Sequence, residues 1–264
     1  MPGQELPRPG LNIYPDLKAL ARGSVELFTH LAEQAVSAHG RFSVALSGGS
    51  TPVALFVLLR EPPFREQIAW ERLDVFWSDE RAVPPGDPQS NFSMAEDVLL
   101  SRVPVPAERI HRMPAEREPL DAAAAEYETA IRQVLGAKDG MPRFDLVMLG
   151  MGDDGHTASL FPESPALEER ERLVVPNYVA KLDARRMTFT PRLINAAATV
   201  LVLAAGEAKA DALAAVLEGP REPRRYPAQL VAPDGGTLYW LVDRTAAAKL
   251  RRRDADAPPA VQEP

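Results

Sequence analysis

Residues Phe144 to Pro162 read FDLVMLGMGDDGHTASLFP, and this stretch orders the reading of the whole chain. Its apolar opening, Phe144–Leu149, is short enough for a buried strand and is bounded by glycine. Gly150 and Gly152 let the backbone turn tightly and approach a ligand with no Cβ in the way. Asp153, Asp154 and His156 then place three titratable groups just past the carboxyl end of the strand. Open α/β sheets form their binding crevices there. Thr157 and Ser159, both small and polar, lead onward into a solvated site rather than into more core. The competing structural reading is a polar turn in which Asp154 caps the next segment.

Upstream, apolar residues recur at helical spacing from Asp16 to His39, with Asp16 as the N-cap and Gly40 as the stop. His30 and His39 read as surface or edge positions of that helix. Arg41–Leu46 reads as a strand running into Ser47-Gly48-Gly49-Ser50-Thr51-Pro52, followed by an apolar helix, Val53–Leu59. Free N–H groups at a helix N-terminus favour an anion, and Pro52 suits the first helical turn. The lysine of a P-loop is missing, so a nucleoside triphosphate is not indicated. Leu73–Trp77 is the next strand, ending in Ser78-Asp79-Glu80-Arg81. Three strands thus deliver polar groups at their carboxyl ends, as a site along one edge of a parallel sheet requires. Ser90 or Asn91 caps a helix through Leu99, Arg109–Met113 forms a short strand with a structural His111, and Pro119–Leu135 is helical.

Downstream, Ser164–Glu171 is a surface loop or short helix, and Val174–Tyr178 and Met187–Thr190 are strands. Pro191–Asn195 opens a short helix. The apolar strand Thr199–Ala204 runs into Gly206-Glu207-Ala208-Lys209 and a helix, Ala210–Leu217. Leu238–Val242 is the last strand, with Asp243 or Thr245 starting a final helix. The alternation predicts an α/β fold, a mainly parallel, Rossmann-like sheet with helices on both faces. Residues 1–10 read as a flexible lead-in, 11–250 as one domain and 251–264 as a flexible tail.

Composition narrows the function. The chain has 264 residues, 45% of them hydrophobic and 25% charged, in the range of a soluble globular protein. A net charge of −7 argues against a nucleic-acid surface but leaves room for a small anionic ligand. There is no cysteine, and the four histidines show no paired ligand spacing, so no metal site is expected. The opening MPGQELPRPG has no apolar signal region and no apolar run reaches transmembrane length, which makes the cytoplasm the expected compartment.

Five motifs together resemble the 6-phosphogluconolactonases: Leu46–Pro52 (LSGGSTP), Trp77–Arg81 (WSDER) with Asn91-Phe92, Leu149–Pro162, Arg186–Thr190 (RMTFT) and Gly206–Asp211 (GEAKAD). They fall in the family's order between Asn12 and Arg244. The superfamily also holds glucosamine-6-phosphate deaminases, which share the fold, the glycine-rich turn and the DGH core. The resemblance implies a sugar-phosphate lactone as substrate, no metal and no organic cofactor; a monomer or weak homo-oligomer without nucleic-acid or membrane partners is the accompanying expectation.

Lactone hydrolysis needs a base for water and a stabilised oxyanion. A histidine titrates near working pH, so His156 is the expected base, with Asp154 orienting it. Asp153 is equally a cap. Backbone N–H groups of the Gly150–Gly152 turn are the expected oxyanion donors. Ser47, Gly48, Gly49, Ser50 and Thr51 supply phosphate donors, and the resemblance adds Arg81, Arg186 and Lys209, with Lys181 a weaker match because LDAR follows it; Asp79 is a further candidate for contact with the substrate. Residues 47–52 are not the GxGxxG of a nucleotide-binding dehydrogenase. A sugar-phosphate sensor without catalysis would be expected to lose His156 or Asp154. The deaminases carry a glutamate five residues after the histidine, where this chain has Phe161.

Overall fold

The computed structural model describes residues 6–137 and 140–251, so most of the expected tail, and the lead-in before residue 6, lie outside the described residues. The end of the expected lead-in is sheet: Gly10–Tyr14 is strand β1, half-buried along its length at one edge. An edge strand with one neighbour lacks the continuous apolar run that marks a buried one.

Helix α1 (Leu17–His39) has the limits read from its sequence. The Ala19 N–H donates to Asp16 Oδ1 at 2.8 Å, and Gly40, at φ 80°, donates to the Val36 carbonyl at 2.9 Å. Its apolar face, including Leu20, Leu27 and Phe28, is buried in the core, where Phe28 meets Phe42 edge-on at 5.3 Å. There follow β2 (Phe42–Leu46), α2 (Ser50–Leu59), α3 (Phe64–Gln67), β3 (Leu73–Trp77), β4 (Asp79–Arg81), α4 (Asn91–Val98) and α5 (Leu120–Val134). The second half supplies β5 (Leu146–Gly150), β6 (Val174–Val179), β7 (Ala184–Phe189), α6 (Pro191–Asn195), β8 (Thr199–Ala204), α7 (Ala210–Glu218) and β9 (Thr237–Asp243).

The main sheet has the order β1-β9-β8-β5-β2-β3, and every pairing in it is parallel. Strands β2, β3 and β8 are buried at every position, as a parallel sheet covered on both faces demands. The registers Leu46↔Trp77, Gly150↔Leu203 and Tyr14↔Asp243 align the carboxyl ends along one edge. Among the described residues no helix is long and apolar enough to cross a membrane.

A second, antiparallel sheet, β4-β7-β6, adds to the expected architecture. Ser78 joins the two sheets: its N–H donates to Leu46 O at 2.9 Å, and its carbonyl accepts from Phe189 N at 2.8 Å. The small sheet pairs Asp79 with Thr188 and Arg81 with Arg186. Two motifs far apart in sequence thereby become neighbours.

Two expected elements differ. Arg109–Met113 is not a strand; Ile110 makes one isolated parallel bridge to Val75, and Arg109 turns back to Asp74 Oδ2 at 3.0 Å. His111 stacks on Phe76 with centroids 4.4 Å apart, a structural position. The final helix is only a 3-10 turn, Ala246–Lys249, whose Ala246 N–H donates to Asp243 Oδ1 at 2.7 Å. Asp243 also accepts the Gly206 N–H at 3.1 Å, so its carboxylate is shared between two turns.

Candidate active site

A cleft opens at the carboxyl edge of the main sheet, and most of the residues singled out in the sequence converge on it. Ser47, Gly48, Gly49, Ser50 and Thr51 line one side; Gly150, Gly152 and His156 line another; Asp79, Arg81, Arg186 and Lys209 complete the polar wall. Met151, Ala158 and Leu203 add apolar surface.

The turn from β2 to α2 is built for close approach. A Cβ on Gly48 would come 1.8 Å from Asn91 Oδ1, so no larger residue fits there without displacing the Asn91 side chain. Gly49, at φ 97°, occupies the N-cap position of α2 and offers no capping side chain. The first N–H groups of α2 therefore lack the usual cap, and the positive end of the helix borders the cleft.

After β5 the chain folds back on itself. The Gly152 N–H donates to the His156 carbonyl at 2.8 Å, and Thr157 Oγ1 donates to Gly150 O at 2.8 Å. This corrects one expectation: the Gly152 N–H closes the turn and is not a free oxyanion donor. The same closure lays the imidazole over Gly152, where a Cβ would come 2.0 Å from His156 Nδ1.

His156 Nδ1 lies 2.6 Å from Asp154 Oδ1, and the His156 backbone N–H donates to that same oxygen at 3.2 Å. Burial works to raise the pKa of Asp154, but the hydrogen bonds and charge from His156, with Lys181, outweigh it and hold the carboxyl well below the usual range. A carboxylate only accepts, so Nδ1 carries a proton, and in the neutral tautomer this bond selects, Nε2 is the nitrogen with the lone pair. Asp154 itself lies behind the cleft wall, as a residue that orients the ring would. Lys181 also lies outside the wall, with Nζ 3.3 Å from Asp154 Oδ2. Asp153 is exposed and is not among the lining residues.

The small sheet supplies the opposite wall. Ser159 Oγ donates to Asp79 Oδ2 at 2.5 Å, and Asn91 Nδ2 donates to the Asp79 carbonyl at 2.9 Å. Arg186 Nη1 lies 3.9 Å from Asp79 Oδ2, and Arg81 Nη1 donates to Gln89 O. Burial lowers the pKa of Arg186, against the raising effect of Asp79. Arg81 and Arg186 each keep a buried Nε–H with no partner among the described residues. Two underpaired guanidiniums and an uncapped helix end thus line the same cleft, a combination whose chemistry favours an anion. Lys209, on the turn after β8, makes no ion pair among the described residues. Its turn begins at Gly206, which is held by Asp243.

Two residues that organise the site, Glu80 and Asn91, fall inside the sequence motifs without a site role of their own there. Glu80 is buried and accepts four hydrogen bonds, from Arg81 N, Asn91 N, Phe92 N and Ser90 Oγ, at 2.7 to 3.0 Å. Burial pushes its pKa up while the three backbone donors pull it down. It clamps the start of α4 to β4 and so presses Asn91 against Gly48. Asn91 joins the cleft lining, with a buried Oδ1 that has no hydrogen-bond partner among the described residues. Among the described residues no cluster of three histidine or acidic side chains is placed to hold a metal ion.

Comparison with known proteins agrees in extent and in fold. The family described as glucosamine-6-phosphate isomerases/6-phosphogluconolactonase matches residues 15–240. The chain is 40% identical to a 6-phosphogluconolactonase of Nostoc sp. over 242 residues, covering 91% of this chain and 98% of that protein. It is 38% identical to the probable 6-phosphogluconolactonase 1 of Arabidopsis thaliana, covering 92% and 94%. The solved 6-phosphogluconolactonase of Trypanosoma brucei superposes with a TM-score of 0.78 at 27% identity, over 92% of this chain and 99% of that one. With the family match over residues 15–240 taking in every motif of the cleft, the chain belongs to the glucosamine-6-phosphate isomerase/6-phosphogluconolactonase family.

Proposed function

We propose that this protein hydrolyses 6-phospho-D-glucono-1,5-lactone to 6-phospho-D-gluconate, in the oxidative pentose phosphate pathway of the cytoplasm, using neither metal nor organic cofactor. The observation that carries the reading is His156, its Nδ1 held by Asp154 and its ring on the cleft wall, facing a site lined by underpaired cations. The relatives' names agree with it.

In this mechanism Nε2 of His156 takes a proton from water as the water oxygen bonds to the lactone carbonyl carbon. Asp154 faces the imidazolium that forms. The tetrahedral intermediate collapses with cleavage of the bond between that carbon and the ring oxygen. The ring oxygen leaves as a hydroxyl, receiving the proton from His156, and the acyl carbon becomes the carboxylic acid, which ionises. Arg81, Arg186, Lys209 and the start of α2 hold the phosphate.

The deaminase alternative needs a carboxylic group to assist ring opening. At the position where that branch carries glutamate, this chain has Phe161, stacked on His156 at 4.0 Å. Phenylalanine transfers no proton, which favours the lactonase. The test follows lactone disappearance against the spontaneous rate, with ammonia release from glucosamine 6-phosphate measured in parallel. Hydrolysis well above the spontaneous rate without ammonia is expected; ammonia at an enzymatic rate would overturn the assignment.

A further inference from the structure

One residue behind the cleft wall touches both groups on which the proposed chemistry depends. Phe161 is 5% exposed and is not part of the wall. Its ring stacks on the His156 imidazole with centroids 4.0 Å apart and planes 21° from parallel. Arg186 Cζ lies 5.4 Å from the centroid of the same ring.

The backbone returns the ring to that place. Ala158 takes a left-handed φ of 46°, and the Leu160 N–H donates to Thr157 O at 2.9 Å, closing a tight turn. Ser159 fixes the turn to the small sheet: its N–H donates to Thr188 Oγ1 at 3.1 Å, and its carbonyl accepts from Asn177 Nδ2 at 2.7 Å. Phe161 is therefore anchored independently of the imidazole it meets.

The Cβ–Cγ bond and the hydrogen bond at Nδ1 together define the plane of the His156 ring, but the imidazole and the Asp154 side chain remain free to shift together. A flat neighbour removes this freedom, and with both constraints the direction of Nε2 is set. The ring face is also the negative end of the aromatic quadrupole, which favours the imidazolium formed in the reaction and the guanidinium nearby. An aliphatic residue would fill the volume but supply neither effect.

We propose that Phe161 is a positioning residue: its ring holds the His156 imidazole in place and, through Arg186, links the base to the anion site. The inference rests on the reading of His156 as the base. Its test compares Phe161→Leu and Phe161→Tyr for lactone hydrolysis, with proton NMR of the histidine ring signals in wild type and variants. Phe161→Leu should lower kcat by about 10- to 100-fold, the scale of a misplaced reacting group, while KM rises only a few-fold. Phe161→Tyr keeps the ring and should restore kcat to within a few-fold of wild type. In the wild type the His156 ring protons should resonate upfield of those of His30 and His39, as those of His111 on Phe76 should too, and of the two ring-current shifts only that of His156 should be lost in Phe161→Leu.

A folded Phe161→Leu with wild-type kcat would sink the proposal, as would equal losses in the two variants. Should Phe161→Leu not fold, the wild-type spectrum still decides, since unshifted His156 signals contradict stacking. Absence of lactonase activity in the wild type would instead refute the functional reading, without moving the NMR result.

Discussion

Lys181 Nζ lies 3.3 Å from Asp154 Oδ2, the carboxylate whose other oxygen sits 2.6 Å from His156 Nδ1. The lysine expected to contact phosphate is thus the outer member of a chain that ends at the proposed base. Its side chain is 67% exposed, and exposed ion pairs contribute only about 0–1 kcal/mol. Lys181→Ala should therefore lower kcat by no more than about fivefold. Inhibition by inorganic phosphate should stay unchanged in the same variant; a large loss of phosphate affinity would return Lys181 to the anion site.

Asp154→Asn removes the charge that fixes the histidine tautomer. By analogy with hydrolytic triads, kcat should fall by about 10²- to 10⁴-fold while the fold survives. The same variant tests the depressed pKa of Asp154. A carboxyl whose pKa is lower in the folded state stabilises the fold above its unfolded pKa of about 3.9 and loses that contribution as pH falls towards the folded value. The stability gap between wild type and Asp154→Asn, measured by urea unfolding, should thus narrow as pH falls below about 4. A gap that widens on acidification would have the wrong sign.

Gly152→Ala places a methyl group 2.0 Å from His156 Nδ1 and 2.7 Å from Asp154 Oδ1. One of the two must move. A displacement of about 1 Å at the reacting group costs on the order of 10²-fold in turnover. Loss of kcat with little change in binding of 6-phosphogluconate is the expected outcome, checked by kinetics and product inhibition.

Lys209→Ala and Arg186→Ala should act mainly on KM, because a remote phosphate contact is made in both ground and transition states. Arg186 also faces Asp79, so its removal should lower thermal stability as well, which the Lys209 variant should not. Unaltered inhibition by inorganic phosphate in either variant would move the phosphate elsewhere.

The parallel sheet was legible because its strands are apolar runs that stop at glycine or charge, a local pattern. The small sheet was legible only in part: Val174–Tyr178 and Met187–Thr190 read as strands, but Asp79–Arg81 and the charged start of β7, Ala184–Arg186, are strands through their pairing across the sheet. Strand β1 stayed hidden for a similar reason, since an edge strand needs no continuous apolar run. Within the site, the turn glycines and His156 announce themselves by type and order. Glu80 and Asn91 do not, because their roles arise from the packing of α4 against β4 and Gly48. The Gly152 N–H shows the converse: the glycines announce a turn there, but the turn itself consumes the donor, which goes to the His156 carbonyl.

The decisive comparison is 6-phosphogluconolactone hydrolysis by His156→Ala and by wild type, each corrected for spontaneous opening of the ring. With His156 as the base, the variant should lose about 10²- to 10⁴-fold in kcat while keeping its fold and its affinity for 6-phosphogluconate. Turnover within a few-fold of wild type would contradict it and would mean that another group activates the water.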